Sequence, residues 1–192
     1  MKSEVLWRQL VDIGTEHLVL KINGGIHADS LAVGEIEGTA YRIRYRIDCD
    51  ANWNVESVKV EDLLDGKVVA LTRGENNRWT DGAGTTATEL AGCTDVDIMI
   101  TPFTNTLPIR RLHLEPGEAR EIAVVYVGVP GLAVSRFGQR YTCLSSGGNG
   151  SIYRYENVKS EFRADLKVDA DGLVIDYPNI FEMVAKRRLE HG

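Results

Sequence analysis

Three pairs of carboxylates stand at a spacing that acid–base chemistry can use: Asp48 and Asp50, Asp95 and Asp97, Asp169 and Asp171. On a strand, residues two apart share a face about 7 Å from each other, a separation at which two carboxyls can divide the roles of acid and base across a glycosidic bond. A hydrolase acting on a sugar or lipid conjugate is therefore one reading, with Asp95 and Asp97 or Asp48 and Asp50 as its pair. For Asp48 and Asp50 a simpler reading competes. They share a face with Arg42, Arg44 and Arg46, and such ladders of opposite charge are ordinary solvated surface. Asp169-Ala170-Asp171-Gly172 imitates the middle of a calcium loop, but aligning Gly172 with the loop glycine puts Lys167 and Pro178 where carboxylates are required, so a hairpin is expected.

The other polar concentration is Thr101-Pro102-Phe103-Thr104-Asn105-Thr106-Leu107-Pro108-Ile109-Arg110-Arg111. Two prolines bracket it, which disfavours a regular central strand. It reads either as a crossover loop whose hydroxyls and amide satisfy nearby backbone, or as the wall of a polar pocket. His17, His27, His113 and His191 have no partners at zinc-ligand spacing, so no metal is expected. Gly82-Ala83-Gly84-Thr85 lacks the lysine of a phosphate loop, and there is no Gly-x-Ser-x-Gly elbow. No cofactor is implied. Trp53 and Trp79, each beside turn residues, read as turn-packing aromatics.

The elements that must position these residues are mostly strands. Tyr41 to Asp50 alternates apolar and charged residues without a break, as a half-buried strand does, and Phe162–Asp169 and Asp95–Ile100 repeat the pattern. Glu121 to Val129 is apolar on both parities and β-branched, which predicts a central strand covered on both faces. Asn23-Gly24, Asp65-Gly66, Asp81-Gly82, Pro116-Gly117 and Asp171-Gly172 mark tight reversals, so consecutive strands should pair antiparallel. A two-residue loop at Gly38-Thr39 would set Glu35 opposite Arg42 and Ile36 opposite Tyr41. Residues 3–12 fit both periods, Leu6 and Leu10 a helix and Val5 and Trp7 a strand; the strand is preferred. Ser145 to Ser151 has no periodicity and reads as a mobile loop. The helix signal is strongest at the end of the chain: Asn179 as N-cap, Glu182 three residues on, Phe181, Val184, Ala185 and Leu189 on one side, Lys186, Arg187 and Arg188 at the C-terminal turn.

Length and composition suit one globular domain over 1–192: 192 residues, 43% hydrophobic and 26% charged. Twenty-two Lys and Arg against 28 Asp and Glu leave a charge of -6, the wrong sign for a protein that gains affinity by neutralising nucleic-acid phosphates. Charges interrupt the N-terminal apolar residues, and no apolar run reaches the ~20 residues of a membrane helix, so neither a secretory leader nor an integral membrane segment is expected. Cys49, Cys93 and Cys143 are odd in number and far apart, as expected of reduced thiols in a cytoplasmic protein.

Arg44-Tyr45-Arg46-Ile47-Asp48-Cys49-Asp50 with Trp53, Gly92 to Asp97, the Thr101–Arg111 block, Gln139-Arg140-Tyr141 and Asp171 to Pro178 together resemble the putative glycolipid-binding family of bacterial proteins. The resemblance spans nearly the whole chain. It implies a spiral β-roll, a long antiparallel sheet wrapped around one α-helix, with a homodimer as the usual state. It supplies no catalytic residues. A non-catalytic protein holding a glycolipid or other amphiphile is accordingly the leading functional expectation, with the hydrolase and a dimeric protein-binding scaffold as alternatives. The residues expected to meet a polar head group are Thr101, Thr104, Asn105, Thr106, Arg110, Arg111, Gln139 and Tyr141. Threonines and Asn105 suit sugar hydroxyls, and an arginine fork suits phosphate or carboxylate. Neighbours in an extended chain point to opposite sides, so only one of Arg110 and Arg111 is expected in any one cavity.

Overall fold

The computed structural model describes residues 1–189; Glu190, His191 and Gly192 lie outside the described part. The chain first winds as an antiparallel meander: β1 (Lys2–Gln9), β2 (Gly14–Ile22), β3 (Ile26–Ile36), β4 (Thr39–Cys49), β5 (Val55–Asp62), β6 (Val68–Arg73) and β7 (Trp79–Asp81). It then enters β8 (Asp95–Ile98), crosses through the helix α1 (Phe103–Leu112) and returns as β9 (Ala119–Val127). A second meander follows: β10 (Val134–Gly147), β11 (Gly150–Asn157), β12 (Arg163–Val168), β13 (Val174–Tyr177) and β14 (Phe181–Leu189). β14 pairs with β1, so both arms join into one 14-stranded sheet with β7 and β8 at its ends. The sheet does not close on itself but rolls around α1, bringing β8 against β5.

Alternation produces the strands as expected. In β4 the odd residues Tyr41 to Cys49 are buried while Arg42, Arg44 and Arg46 are exposed. Within residues 3–12 the strand preference holds as far as Gln9, where β1 ends. Gly24, Gly66, Gly117 and Gly172 take positive φ at their reversals, a backbone region that glycine enters without steric cost.

Several expectations need correction. The hairpin between β3 and β4 turns on Glu37-Gly38, at φ 49° and 79°, so Ile36 faces Thr39 and Glu35 faces Ala40. The shift moves every partner by two, which preserves the faces and costs no burial. Ser145 to Ser151 is not a free loop: β10 runs on to Gly147 and pairs with β11 from Gly150. β8 and β9 are parallel, because the intervening helix carries the chain back across the roll. β9 is covered on both faces, Val124 and Val125 alike, yet it stands next to the end of the sheet. The spiral supplies the second cover by placing that end inside.

The largest correction concerns the helix. Residues 181–189 form β14, aligned along β1 from Gln9↔Phe181 to Lys2↔Leu189. Asn179 adopts φ 64° in the turn that precedes it, a left-handed position that asparagine tolerates as readily as it caps helices. The backbone pairing available along β1 outweighs a modest local helix preference. The helix is instead the block that reads as a crossover loop or pocket wall. Pro102 starts it, Pro108 sits inside it, and Phe103 to Ile109 are all buried. A segment enclosed on every side needs no amphipathic stripe, and its buried Thr104, Asn105 and Thr106 hide the usual periodic signal.

Candidate functional site

α1 presents its polar side chains to three different environments. In the first, its N-terminal half is sealed in a buried network. Thr104 Oγ1 donates to Asp97 Oδ1 at 3.1 Å, Gln139 Nε2 donates to Asp97 Oδ2 at 2.6 Å, and Tyr141 donates to Asn105 Oδ1 at 2.8 Å and to Gln139 Oε1 at 3.4 Å. Burial pushes the Asp97 carboxyl upward against these hydrogen bonds, and burial raises the Tyr141 hydroxyl well above its ordinary value. Tyr155 packs edge-on to Tyr141, with ring centroids 5.5 Å apart. Thr101 caps the network's other side, 3.1 Å from the Tyr45 hydroxyl. Thr106 is completely enclosed, its hydroxyl without a partner.

In the second environment Arg111 forms a bidentate pair with Asp95, Nε to Oδ1 at 3.0 Å and the terminal nitrogen to Oδ2 at 2.6 Å, with Thr94 donating to the same Oδ2 at 2.7 Å. Asp95 is fully buried while Arg111 reaches the wall of an open cleft of about 600 Å³. Arg120, Arg136 and Lys159 bring three further positive charges to its lining, against the single acid Glu121, interspersed with the apolar Leu112, Ile122, Ala123 and Val158. In the third, Arg110 lies over the Trp53 ring, 5.4 Å from its centroid, and lines a separate, polar pocket of about 320 Å³.

The structure thus brings Thr104, Asn105, Gln139 and Tyr141 into one cluster, places Thr101 and Thr106 in the packed interior, and sends Arg110 and Arg111 to different cavities. The charges of Arg120, Arg136 and Lys159 had no signal in the sequence, since each lies on an exposed or half-exposed position that reads as ordinary surface. Glu16 is a second omission that was legible. It occupies the inward parity of Leu18 and Leu20 in β2, and it is buried. Ser30 Oγ and the Tyr45 hydroxyl donate to its Oε1 at 2.7 and 2.5 Å, its Oε2 has no partner, and burial raises its pKa to about 7.

The remaining carboxylate pairs are engaged. Asp48 holds His27 at 2.7 Å and Ser57 at 3.0 Å; the serine bonds the carboxylate rather than the imidazole, which is not the order of a nucleophilic relay. Asp50 organises its own turn through the Asn52 and Asn54 backbone. Arg44 and Arg46 do form a surface ladder, but with Asp29, whose carboxyl they hold below its usual range despite the opposing push of burial. Asp169 accepts from the Asp171 and Leu173 backbone and, with Asp171, holds Lys186 at 2.6 and 2.5 Å. Trp53 is buried in its turn, as expected, whereas Trp79 is buried as the first residue of β7, and Cys49, Cys93 and Cys143 are free and buried.

A long sheet rolled around the α-helix of the described residues, with charged clefts along the helix flanks, defines a spiral β-roll. The chain belongs to the family described as "Putative glycolipid-binding", which matches residues 4–183. It is also similar to a solved structure, that of a DUF1089 family protein from Pseudomonas aeruginosa, at 36% identity and a TM-score of 0.76 over 87% of this chain and 91% of that one. No curated protein matches it. No helix among the described residues is long and apolar enough to cross a membrane.

Proposed function

We propose that the protein binds an amphiphile, without catalysis, and that the ligand's head group sits in the cleft beside Arg111. The observation that carries this reading is the composition of that cleft: Arg111, Arg120, Arg136 and Lys159 are interspersed with Leu112, Ile122, Ala123 and Val158 around about 600 Å³. Cationic and apolar side chains lining one cleft suit an anionic head group with an attached chain. Membership of the family supports a lipid-like ligand. So does the half-exposed Val158 in the cleft lining. Arg111 is already neutralised by Asp95, so Arg120, Arg136 and Lys159 carry the free charge. The buried Thr104, Asn105, Gln139 and Tyr141 cluster holds α1 in place behind them, and Thr101 and Thr106 belong to the same packed support.

Flotation with vesicles containing an anionic lipid tests the reading. The wild-type protein should float and the triple variant Arg120→Gln, Arg136→Gln, Lys159→Gln should remain at the bottom with its fold intact. Equal flotation of the two would overturn it. The homodimer expectation belongs to the same proposal, but the edges of the sheet do not motivate it. β8 is enclosed, and β7 is three residues long and bridged to Thr86. A dimer would use the outer face of β3, where Leu31 and Val33 are exposed. Sedimentation showing only monomer at micromolar concentration would remove it.

A further inference from the structure

We infer that Arg110, with the hairpin tip between β10 and β11, forms a second ligand site, one that takes a phosphate ester carrying free hydroxyls. Arg110 pairs with no carboxylate among the described residues, and its Nε is enclosed with no hydrogen-bond acceptor. The enclosed Nε lies beyond a ligand's reach, but the terminal guanidinium nitrogens also have no acceptor among the described residues, and Arg110 lines an open pocket in which a ligand can supply one.

The side chain is also held ready. The Trp53 ring lies against the guanidinium, 5.4 Å from centroid to Cζ. The methylene stem runs over Gly172, where an added Cβ would fall 2.6 Å from Arg110 Cδ. Gly172 is therefore required twice, by its φ of 79° and by this close approach. The guanidinium faces a polar pocket of about 320 Å³ whose far wall is Ser146, Gly147, Gly148, Gly150 and Ser151. Glycines leave the backbone open to a ligand, and serine hydroxyls can donate to an oxyanion. His113, left-handed at the end of α1, also lines this pocket.

Two acids also reach the wall, and they refine the ligand class. Asp169 is fully occupied by Lys186 and two backbone amides. Glu115 pairs with no cation among the described residues, so it would repel a bare dianion but can accept from a hydroxyl beside it. A phosphate ester of a small polyol satisfies both Arg110 and Glu115.

The source of such a group is either a soluble ester or a lipid head group, and the experiment separates them. Calorimetric titration of the whole protein with glycerol 1-phosphate should show saturable binding, weakened at least tenfold in Arg110→Gln, less in Arg110→Lys, and unchanged in Lys59→Gln, a surface cation that lines neither cleft. The amide-type ¹⁵N–¹H signal of Arg110 Nε in the wild-type protein should move along the same saturation curve, a readout that needs no variant to fold. Vesicles of phosphatidylglycerol, but not phosphatidylcholine, competing with glycerol 1-phosphate would identify the lipid head group as the source; failure to compete would identify the soluble ester. No saturable binding, or a stationary Arg110 Nε signal, would overturn the site even if flotation through the Arg136 cleft succeeds.

Discussion

Arg110 and Arg111 are adjacent in the last turn of α1 and differ in almost every physical respect. About 100° of helical rotation separates them. On one flank Arg111 meets the buried Asp95 in a fork-to-fork pair; on the other Arg110 meets an indole face, a glycine and a water-accessible pocket. One charge is consumed in holding the helix against β8, and the other is left for a partner. Identical residue types in the same element thus divide between structure and binding according to what the sheet places opposite them.

The largest effect expected from this contrast is on stability. Replacing Arg111 by alanine strands Asp95 as a fully buried carboxylate, which should cost ~3–5 kcal/mol, whereas Arg110→Gln should change stability by less than ~0.5 kcal/mol. Urea denaturation of both variants checks the pair; similar midpoints would break the comparison.

A buried acid with no cation sharpens it further. Asp95 has Arg111, but Glu16, near the N-terminal end of α1, receives only the hydroxyls of Ser30 and Tyr45. The folded protein keeps the Glu16 proton up to about pH 7, whereas the unfolded chain releases it near 4.5. Rising pH therefore favours unfolding: the contribution is intact below 4.5, is lost between 4.5 and 7, and amounts to ~3 kcal/mol beyond that. Glu16→Gln should flatten this dependence and be the more stable protein at pH 8. Parallel pH profiles of the two would contradict the assignment. A smaller effect concerns the hydrogen-bond network around Tyr141. Tyr141→Phe removes the donor to Asn105 and Gln139 and should cost ~1–3 kcal/mol, measured by thermal melting, with binding of glycerol 1-phosphate unchanged.

The interior parity of Tyr41 to Cys49, the strand over Asp95 to Ile98 and the reversals at Gly24, Gly66, Gly117 and Gly172 were all legible from the amino acids. Each depends on residues next to one another, because side-chain alternation and positive φ are local requirements. The grouping of Asn105, Gln139 and Tyr141 was legible only through family resemblance, since their contacts span up to 36 positions. Local reasoning failed at α1 and β14, and for related reasons. α1 holds Pro108, threonines and an asparagine that disfavour a helix, yet Asp97, Gln139 and Tyr141 satisfy its side chains from other strands. β14 carries a good helix signal, yet its backbone pairs with β1 from the opposite end of the chain. Strand alternation and turn chemistry belong to the sequence by itself. Which segment becomes the helix, and which of two adjacent arginines stays free, depends on partners far away in the chain, so only the rolled sheet decides them.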